Sequence, residues 1–515
     1  MPSFRAHVLL RYGLLMRRSL ATLILALTAC SAERGALAPP PPPPATPTVT
    51  AAGAPDAGDS ARPSAAVPAS PPPSFEAQYR QLLEQMVTVD TSHGGETKLL
   101  EPIAALYREA GVTVQILESA PGRGNLVARL KGSGAKKPVL LLAHVDVVPV
   151  EGQPWTVPPF AVTEKEGFLW GRGINDDKAM ASAIVAVTLE LARAHAPLTR
   201  DVIVALTSGE ETGGAAGARW LTENHKELLD ASIALNEGGG TLLTDDFARP
   251  IEVSVQISEK IFQSFQLVVK GKGGHSSRPP TSGDPVVALS RALVKVGEHR
   301  FPPTVLPETK ADFASQLATA EPVFAGALRH AVASAPKISA ADDAVLSKDE
   351  AYNAALRTTC VTTMLKAAPQ DNVLPTTAEA TINCRILPGE TIEQVAATLT
   401  KVIGDPNVAL SNLPEFGHGP ASPFEGEVVE AVKKVTAATY AGAAVPVLPG
   451  MSTGGTDSRW MRKIGIASYG VSPGTGTRAE GKAAHGAHGP DERKSVKWLQ
   501  PGGEYFREIV RSLAL

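Results

Sequence analysis

The sequence contains few cysteines and has almost no excess of charge of either sign. Its 515 residues include three cysteines, too few for a small fold that depends on several disulfides. The 49 lysines and arginines against 52 aspartates and glutamates leave a formal charge of −3, so no basic surface for nucleic acid is expected. Internal repeats and coiled-coil heptads are also absent. A chain of this length exceeds the usual size of one hydrophobic core, and we expect more than one domain.

The apolar stretch near the N-terminus, LATLILALTA, is too short to cross a bilayer as a permanent helix. It follows Arg11, Arg17 and Arg18 and stops at Cys30, an order typical of a cleaved export signal over residues 1–30. The letters LTAC resemble a bacterial lipobox, which implies cleavage before Cys30 and lipid attachment to it. An ordinary secretory signal with an incidental cysteine is the alternative. We therefore expect an exported protein, anchored by lipid to a bacterial membrane in the periplasm or at the outer membrane.

Residues 31–73 are rich in proline and alanine and include six consecutive prolines at 39–44. This composition cannot bury a core and favours an extended polyproline conformation. At about 3.1 Å per extended residue, the segment can hold the folded part up to roughly 100 Å from a membrane. We interpret it as a disordered tether, with a site for a proline-binding partner as the alternative.

The globular part begins near residue 75, where helical periodicity alternates with short apolar runs such as PVLLLAHVD, DVIVALTS and ASIALNEGG. This alternation predicts an α/β fold whose sheet is flanked by helices. Residues 261–412 differ, because two β-rich stretches surround a long, alanine-rich helical piece. We predict that they form an inserted α+β lid or dimerisation domain. Residues 75–260 and 413–515 would then together form the main domain.

Polar side chains close these three apolar runs one after another. His144 and Asp146 end the first run, Glu210 and Glu211 the second, and Glu237 the third. The carboxyl ends of strands form the ligand crevice of open α/β sheets, so these groups are expected to meet. Each alone has an ordinary explanation, as a structural histidine or a solvated loop acid. Together they have the composition of a Zn²⁺ site, with too many acids for one ion.

A set of short motifs then matches one family. The motifs run in order over about residues 75–512 and read AHVD, GRGINDDK, SGEETGG, LNEGG, GGHSS, NVLP, RILPGE, GGTDSR and AHGPDE. The chain resembles the co-catalytic dizinc peptidases that include glutamate carboxypeptidase, aminoacylases and carboxypeptidase S. The form of LNEGG and the long helical insertion most resemble the carboxypeptidase S branch. The resemblance implies a catalytic zinc domain with a mixed sheet and an inserted lid.

The resemblance also implies two zinc ions, for which other divalent ions such as Co²⁺ can substitute. One ion would be held by His144, Asp176 and Glu237, and the other by Asp176, Glu211 and His488. The bridging role of Asp176 makes chemical sense, because it lets two ions act on one water and one carbonyl oxygen. Without the resemblance, Asp176 would be read as a helix N-cap.

The same resemblance implies the catalytic roles. Glu210 would be the general base, which takes a proton from the attacking water and passes it to the leaving nitrogen. Asp146 would orient the imidazole of His144. The family pattern also implies a cis peptide bond between Asp176 and Asp177.

Two histidines outside the strand ends complete the predicted site. His488 has a rival in His485, but the family places the ligand four residues before a glutamate, here Glu492, which selects His488. His275 in GKGGHSSRPP matches a histidine that in relatives reaches the active site of a partner subunit and stabilises the oxyanion. A homodimer through the lid is compatible with this sequence. So is a monomer whose long insertion replaces the partner.

Four residues are predicted to bind the substrate. Asn372 in NVLP and Arg385 in RILPG match positions that bind the free carboxylate of the substrate, which an arginine fork can hold through both oxygens. A surface ion pair is the alternative for Arg385. Thr456 and Arg459 in GGTDSR are predicted to line the pocket, with an ordinary glycine-rich turn as the alternative.

Two sequence features need separate treatment. Cys360 and Cys384 lie in two β-rich runs and would face each other if the runs pair antiparallel, so a disulfide and two free buried cysteines both remain open.

The stretch GVSPG at 470–474 fits the nucleophile pattern of serine hydrolases. Pro473 follows Ser472, however, and lacks the backbone N–H that such an oxyanion hole needs, so we reject this interpretation.

We therefore predict a lipid-anchored dizinc exopeptidase or amidohydrolase. It would cleave an amide bond beside a free carboxylate, in a small peptide or an N-acyl amino acid. The alternative is a catalytically inactive, substrate-binding lipoprotein on the same fold. Glu210 together with five intact ligand positions favours the enzyme, because a binding module needs no general base.

Overall fold

The computed structural model describes residues 73–414, 417–477 and 486–515. The predicted export signal with Cys30, the tether up to residue 72 and His485 lie outside these described residues. Among the helices that the structure describes, none combines the length and apolar character needed to cross a membrane.

Nineteen strands occur in the described residues, and ten of them form one mixed sheet. In chain order they are β1 (Thr113–Glu118), β2 (Gly124–Leu130), β3 (Val139–His144), β4 (Thr163–Lys165), β5 (Phe168–Trp170), β6 (Val202–Thr207), β7 (Ile233–Asn236), β8 (Gly240–Leu243), β9 (Pro250–Glu259), β10 (Ile261–Lys270), β11 (Gly274–His275), β12 (Thr359–Lys366), β13 (Val373–Leu374), β14 (Thr377–Ile386), β15 (Val408–Asn412), β16 (Val447–Ser452), β17 (Ala467–Gly470), β18 (Thr475–Thr477) and β19 (Arg493–Ser495). The large sheet has the order β1-β2-β6-β3-β7-β17-β9-β8-β18, and β16 pairs with β9 beside this path. Its centre, from β6 to β17, is parallel, so the strands there end at a common edge.

The central strands are apolar along their whole length because helices cover both faces of the sheet. Every residue of β3 and β6 is buried. Leu141 and Ala143 of β3 pack into the core on one face, whereas Leu140 and Leu142 pack with Trp460 on the other. The continuous run VLLLAH is therefore the sequence of a strand buried on two sides.

Thirteen α-helices occur in the described residues. They are α1 (Phe75–Val87), α2 (Glu96–Glu109), α3 (Lys178–Arg193), α4 (Ala218–Asn224), α5 (Pro285–Glu298), α6 (Pro307–Gln316), α7 (Pro322–Ser334), α8 (Ala340–Leu346), α9 (Glu350–Leu356), α10 (Ile392–Ile403), α11 (Glu427–Thr439), α12 (Ser458–Lys463) and α13 (Val496–Ala514). Helices α1, α2, α3, α11 and α13 supply the core on one face of the large sheet, and α4 and α12 that on the other. The predicted α/β class, with a mixed sheet flanked by helices, is confirmed.

A second, antiparallel sheet lies within residues 261–412 and has the order β12-β14-β10-β15. Strand β14 alternates strictly between buried and half-buried residues, as expected when one face is covered. Its inward side chains pack with those of α5 and α10 in a separate apolar core. Cys360 and Cys384 are directly opposite each other on β12 and β14 and form a disulfide, which settles the question that the sequence left open.

Helices α6 to α9 form a helical segment with an apolar core of its own, around Phe313, Leu328 and Leu346. Helix α6 packs along β16 of the large sheet. Residues 261–412 thus contain both a small sheet and a helical segment, while the boundaries of the inserted domain stay a prediction.

Candidate metal centre and active site

The candidate ligands lie where the parallel strands of the large sheet end. His144 is the last residue of β3, Glu237 directly follows β7, and Glu210 begins a short 3₁₀ turn after β6. Gly209 before this turn has a φ of +66°, and a Cβ added there would approach the Arg123 guanidinium to 2.9 Å. Glycine therefore permits the tight turn that presents Glu210.

Asp176 occupies the centre of the cluster and contacts two histidines. Its Oδ1 lies 2.9 Å from His144 Nε2, and its Oδ2 lies 3.2 Å from His488 Nε2. One carboxylate thus connects imidazoles that are more than 300 positions apart in the sequence. The peptide bond between Asp176 and Asp177 is cis, as the resemblance implied, and Asp177 stands immediately before α3.

Two glutamates extend the cluster on either side of Asp176. Glu211 Oε2 lies 3.0 Å from His488 Nε2, and Glu237 Oε2 lies 3.8 Å from His144 Nε2. The ligand atoms of His144, Glu210 and Glu237 all lie within 4.8 Å of one another, and so do those of His144, Asp176 and Glu211. The structure therefore brings together all five predicted ligand positions, with Glu210 beside them.

The chemistry of this cluster fits divalent cations. Imidazole and carboxylate are ligands of Zn²⁺ and of related ions. Glu211 Oε1 is buried and has no hydrogen-bond partner in the described residues, which is costly for a carboxylate unless a cation or water completes it. The centre also gathers five acids against two imidazoles, an excess of negative charge that cations would balance. The acids are Asp146, Asp176, Glu210, Glu211 and Glu237.

The pKa values reflect this crowding of acids. Burial raises the pKa of Glu210 and of Glu237 well above the usual range, because the charged carboxylate loses its hydration. Hydrogen bonds from His488 to Asp176 and Glu211 raise the pKa of its imidazole to about 10. Burial of His144 acts in the opposite direction, but hydrogen bonds to Asp146 and Asp176 outweigh it and raise its pKa. Protons on the imidazoles thus neutralise acids that a cation could neutralise instead.

Asp146 has a wider role than the one predicted for it. Its side-chain Oδ1 lies 3.5 Å from His144 Nδ1, but its backbone carbonyl is closer, at 3.0 Å. Its two carboxylate oxygens also accept the backbone N–H groups of Glu210 and Glu211, at 3.1 and 3.2 Å. Asp146 therefore positions the imidazole and, at the same time, the turn that carries the candidate base.

A buried ion pair that sequence reasoning missed supports Asp176. Arg172 Nη1 donates to Glu492 Oε2 at 2.7 Å, and both side chains are almost completely buried. The Glu492 carboxylate also accepts the backbone N–H groups of Gly173, Asn175 and Asp176. The segment before Asp176 is thus fixed by a residue from the far end of the chain.

The same ion pair reaches the loop of His488. Gln153 Nε2 and Arg172 Nη2 both donate to the backbone carbonyl of His488, at 2.9 and 3.3 Å. Gln153 Oε1 accepts from Arg172 at 2.6 Å and from Trp155 at 3.0 Å. The backbone of His488 is left-handed, with a φ of +68°, and these bonds hold it there. The only signal in the sequence was the glutamate four residues after His488.

The predicted substrate-binding residues divide into two groups. Arg459 is buried and donates to Glu210 Oε1 at 3.1 Å, so it lies within the centre. Burial lowers the pKa of Arg385, the charge of Arg459 lowers it further, and the charge of Glu210 opposes both, which indicates that the guanidinium lies near these two side chains. Arg385 stacks over Phe262, 4.4 Å from the ring centre. Thr456 is buried on the loop before α12.

Asn372 alone makes up the second group and is exposed, as is His275, which is predicted to be catalytic. They lie together at the small sheet of β11 and β13, where the Ser276 N–H donates to the Asn372 carbonyl at 3.0 Å. His275 Nδ1 accepts the N–H of Ser277 at 3.1 Å. Among the contacts within the described residues, none joins His275 to the ligand cluster, and its catalytic role stays a prediction.

Comparison with known proteins agrees with this geometry. A sequence model of peptidase family M20/M25/M40 matches residues 140–512, which is most of the chain. The chain belongs to this family. Its relatives there are peptidases and amidohydrolases, so the predicted class of enzyme is confirmed, and the predicted resemblance is confirmed with it.

Two relatives illustrate the range of this family. The N-fatty-acyl-amino acid synthase/hydrolase PM20D1 of Xenopus tropicalis is 30% identical over 380 residues, which cover 73% of this chain and 72% of the relative. The probable carboxypeptidase S-like 2 of Dictyostelium discoideum is 28% identical over 398 residues, which cover 75% and 74%. The comparisons give no support to a non-catalytic alternative.

Solved structures share the fold. The M20 family metallo-carboxypeptidase Sso-CP2 from Sulfolobus solfataricus has a TM-score of 0.64 at 18% identity, covering 85% of this chain and 99% of its own. The YXEP protein of Bacillus subtilis, described as a dinuclear metal binding peptidase, has a TM-score of 0.54 at 16% identity, covering 84% and 97%.

Proposed function

We propose that this protein uses two divalent cations, Zn²⁺ in the first place, to hydrolyse an amide bond beside a free carboxylate. The main support is the position of Asp176, whose two carboxylate oxygens contact His144 and His488. A carboxylate between two sets of ligands is in the position to bind two cations at once. His144 and Glu237 would complete one set, and His488 and Glu211 the other. The dinuclear centre described for the Bacillus subtilis neighbour supports two ions rather than one.

The cations, when bound, would polarise the scissile carbonyl and make the attacking water more acidic. Glu210 would take a proton from that water and deliver it to the leaving nitrogen. Asp146 holds the backbone N–H of Glu210, so the carboxylate stays aimed at the centre while it gains and loses the proton. Arg459 contacts the same carboxylate and limits its movement.

A substrate with a free carboxylate suits the positive groups around the base. Arg385 and Arg459 both lie near Glu210, and a guanidinium can hold a carboxylate through two hydrogen bonds. An N-acyl amino acid and a peptide with a free C-terminus both carry such a group beside an amide. The names of the two relatives correspond to these two classes.

The assigned role of Glu210 is tested by Glu210→Gln. We expect turnover to fall by about 10²- to 10⁴-fold, the usual contribution of a general base, while two metal ions stay bound per chain. Turnover is measured by release of free amine, and metal content by elemental analysis of the purified protein. The matched control is Glu223→Gln, which alters a half-exposed surface ion pair with Arg219.

Full turnover in Glu210→Gln would refute its role as the base. Absence of metal in active protein, together with activity that survives chelators, would refute the metal mechanism itself. Parallel assays on N-acyl amino acids and on dipeptides, with the zinc-loaded protein, then decide between the two substrate classes.

We further propose that lipid on Cys30 anchors the enzyme to a membrane, as the lipobox resemblance suggests. Mass spectrometry of the mature N-terminus is expected to find a diacylated cysteine at this position. A mature chain that begins elsewhere, without lipid, would contradict the anchor and leave the hydrolytic function unaffected.

A further inference from the structure

Three consecutive residues, Ser258, Glu259 and Lys260, connect strand β9 of the large sheet with β10 of the second, antiparallel sheet, and we call this segment the crossing. Ser258 and Glu259 end β9, and Lys260 lies between β9 and β10. The Lys260 N–H donates to the Ser452 carbonyl at 2.9 Å, and Glu259 is paired with Ser452 in the parallel register of β9 and β16. The backbone of this crossing is therefore fixed beside the end of β16.

The first and third side chains hold the helical segment. Ser258 Oγ donates to Glu308 Oε1 of α6 at 3.0 Å in a buried contact. Lys260 is 1% exposed, and its Nζ donates to the carbonyls of Ala354 and Arg357 at the end of α9, at 2.9 and 2.7 Å. Among the hydrogen bonds within the described residues, none joins either side chain to the loop that carries Thr456 and Arg459.

The middle side chain points to that loop instead. Glu259 Oε2 accepts the backbone N–H of Thr456 at 2.6 Å, and Glu259 Oε1 accepts from Arg462 Nη1 at 2.6 Å. The exposed fractions of the two side chains are only 7% and 3%. Arg462 in turn donates to the Ser468 carbonyl at 3.0 Å, so the pair is tied to β17 as well.

We propose that Glu259 is a positioning residue for substrate recognition. It holds Thr456, and Thr456 in turn accepts the Arg459 N–H through its carbonyl and the Ser458 N–H through its hydroxyl, both at 3.2 Å. Glu259 thereby fixes the start of α12, which includes Arg459, the residue whose guanidinium contacts Glu210. This inference rests on the proposed function in one respect, namely that the loop with Thr456 and Arg459 lines the substrate pocket.

The chemistry of the contact requires a carboxylate. Both partners of Glu259 are donors, so a glutamine amide can accept from one of them only while its NH₂ group faces the other. A buried donor left without an acceptor is costly, and the loop is expected to shift to relieve it. Substrate binding would then weaken, while the metal ligands stay in place and Asp146 still holds the turn that carries Glu210.

The test is Glu259→Gln in the full chain, with Ser258→Ala as the matched control on the same segment. For Glu259→Gln we expect KM to rise about tenfold, the equivalent of one charged hydrogen bond, with kcat changed by less than about threefold. Because the charged Arg462 guanidinium competes more strongly for the single amide oxygen, the Thr456 N–H loses its acceptor. Hydrogen exchange at the Thr456 amide should therefore accelerate, which reports the lost bond without reference to activity. Ser258→Ala should leave both KM and the exchange of Thr456 unchanged.

A second variant separates positioning from loss of fold. Adding Arg462→Met to Glu259→Gln removes the donor that competes with Thr456 for the amide oxygen, so the Thr456 bond can form again and part of the KM increase should be recovered. A fall in kcat without a change in KM, or unchanged exchange at Thr456, would overturn the proposal. These outcomes are distinct from failure of the proposed function, which would appear as turnover of the wild-type protein without metal or as full turnover of the Glu210→Gln variant.

Discussion

The large sheet presents His144 and Glu210 at buried strand ends, whereas the small sheet of β11 and β13 presents His275 and Asn372 at the surface. His144 is 1% exposed and Glu210 is 8% exposed, and backbone hydrogen bonds fix the segments around them. His275 and Asn372 are exposed, and their contacts stay within their own loops. The comparison indicates that the candidate metal centre is preorganised by the large sheet, while the roles of His275 and Asn372 stay predictions.

The second sheet has an exposed, partly apolar edge. Strand β12 is at an edge, and most of its length is exposed on both faces. Apolar side chains with more than a third of their surface exposed occur on β12 and on the neighbouring helix α5, namely Val286, Val287, Val294, Val361, Met364 and Leu365. The homodimer stays a prediction, and this strand edge with its apolar border is the surface at which it is tested below.

The largest effect is expected at the preorganised centre, from Asp176→Asn. An asparagine amide has only one oxygen, so it cannot bind two cations as the two carboxylate oxygens of Asp176 would. The number of bound metal ions should therefore fall from two to one or none. Turnover should fall by about 10³-fold or more, since several kcal/mol of transition-state stabilisation are lost. Elemental analysis and steady-state rates are measured on the same preparation. Two tightly bound ions in this variant would show that Asp176 is not shared.

His275 provides the sharpest test of the comparison. We expect His275→Ala to reduce kcat by about 10²- to 10³-fold, as loss of an oxyanion donor does, with metal content unchanged. If a second copy supplies this histidine, mixing His275→Ala with Glu210→Gln should restore measurable activity, because one site in each mixed dimer is then complete. In the control, both variants also carry Leu365→Lys on the β12 edge, and mixing them should not restore activity. No recovery with the unmodified edge would place His275 in its own chain's site.

The smallest effect on activity is expected from the disulfide of the second sheet. Replacing Cys360 and Cys384 together by alanine should lower the free energy of unfolding by about 2–4 kcal/mol, because the 24-residue loop is no longer closed. Metal content should stay at its wild-type value, since the ligands are in the other sheet. Denaturant titration of the variant, and of the wild type with and without reductant, measures this difference. A loss of metal would mean that the two sheets are coupled more strongly than their separate cores indicate.

The parts that could be predicted from the sequence are those with a local signal. The run before His144 predicted a buried strand with polar groups at its end, and the same reasoning applied to Glu210 and Glu237. Pairing of Asp176 with His488 came from resemblance alone, because no periodicity connects residues so distant. The disulfide depended on the register of β12 and β14, and composition does not determine a register.

The supporting contacts could not be predicted, and the physical reason is the same for each. Gln153 and Arg172 act on a backbone carbonyl more than 300 positions away, and Glu492 acts on backbone N–H groups at a similar distance. Glu259 likewise reaches a backbone N–H nearly 200 positions further on. Such bonds follow from the completed fold, and any glutamate or glutamine in the sequence would look equally suited to them.

The late position of His488 in the chain has a consequence for biogenesis. A polypeptide that ends just after β7 already contains all five acids of the cluster, yet it lacks the second imidazole and Glu492, which holds the segment before Asp176. The complete cluster can therefore assemble only when the last part of the chain is present. Proteolytic removal of residues 486–515 would take away His488 and Glu492 without touching the strands that precede Glu210 and Glu237.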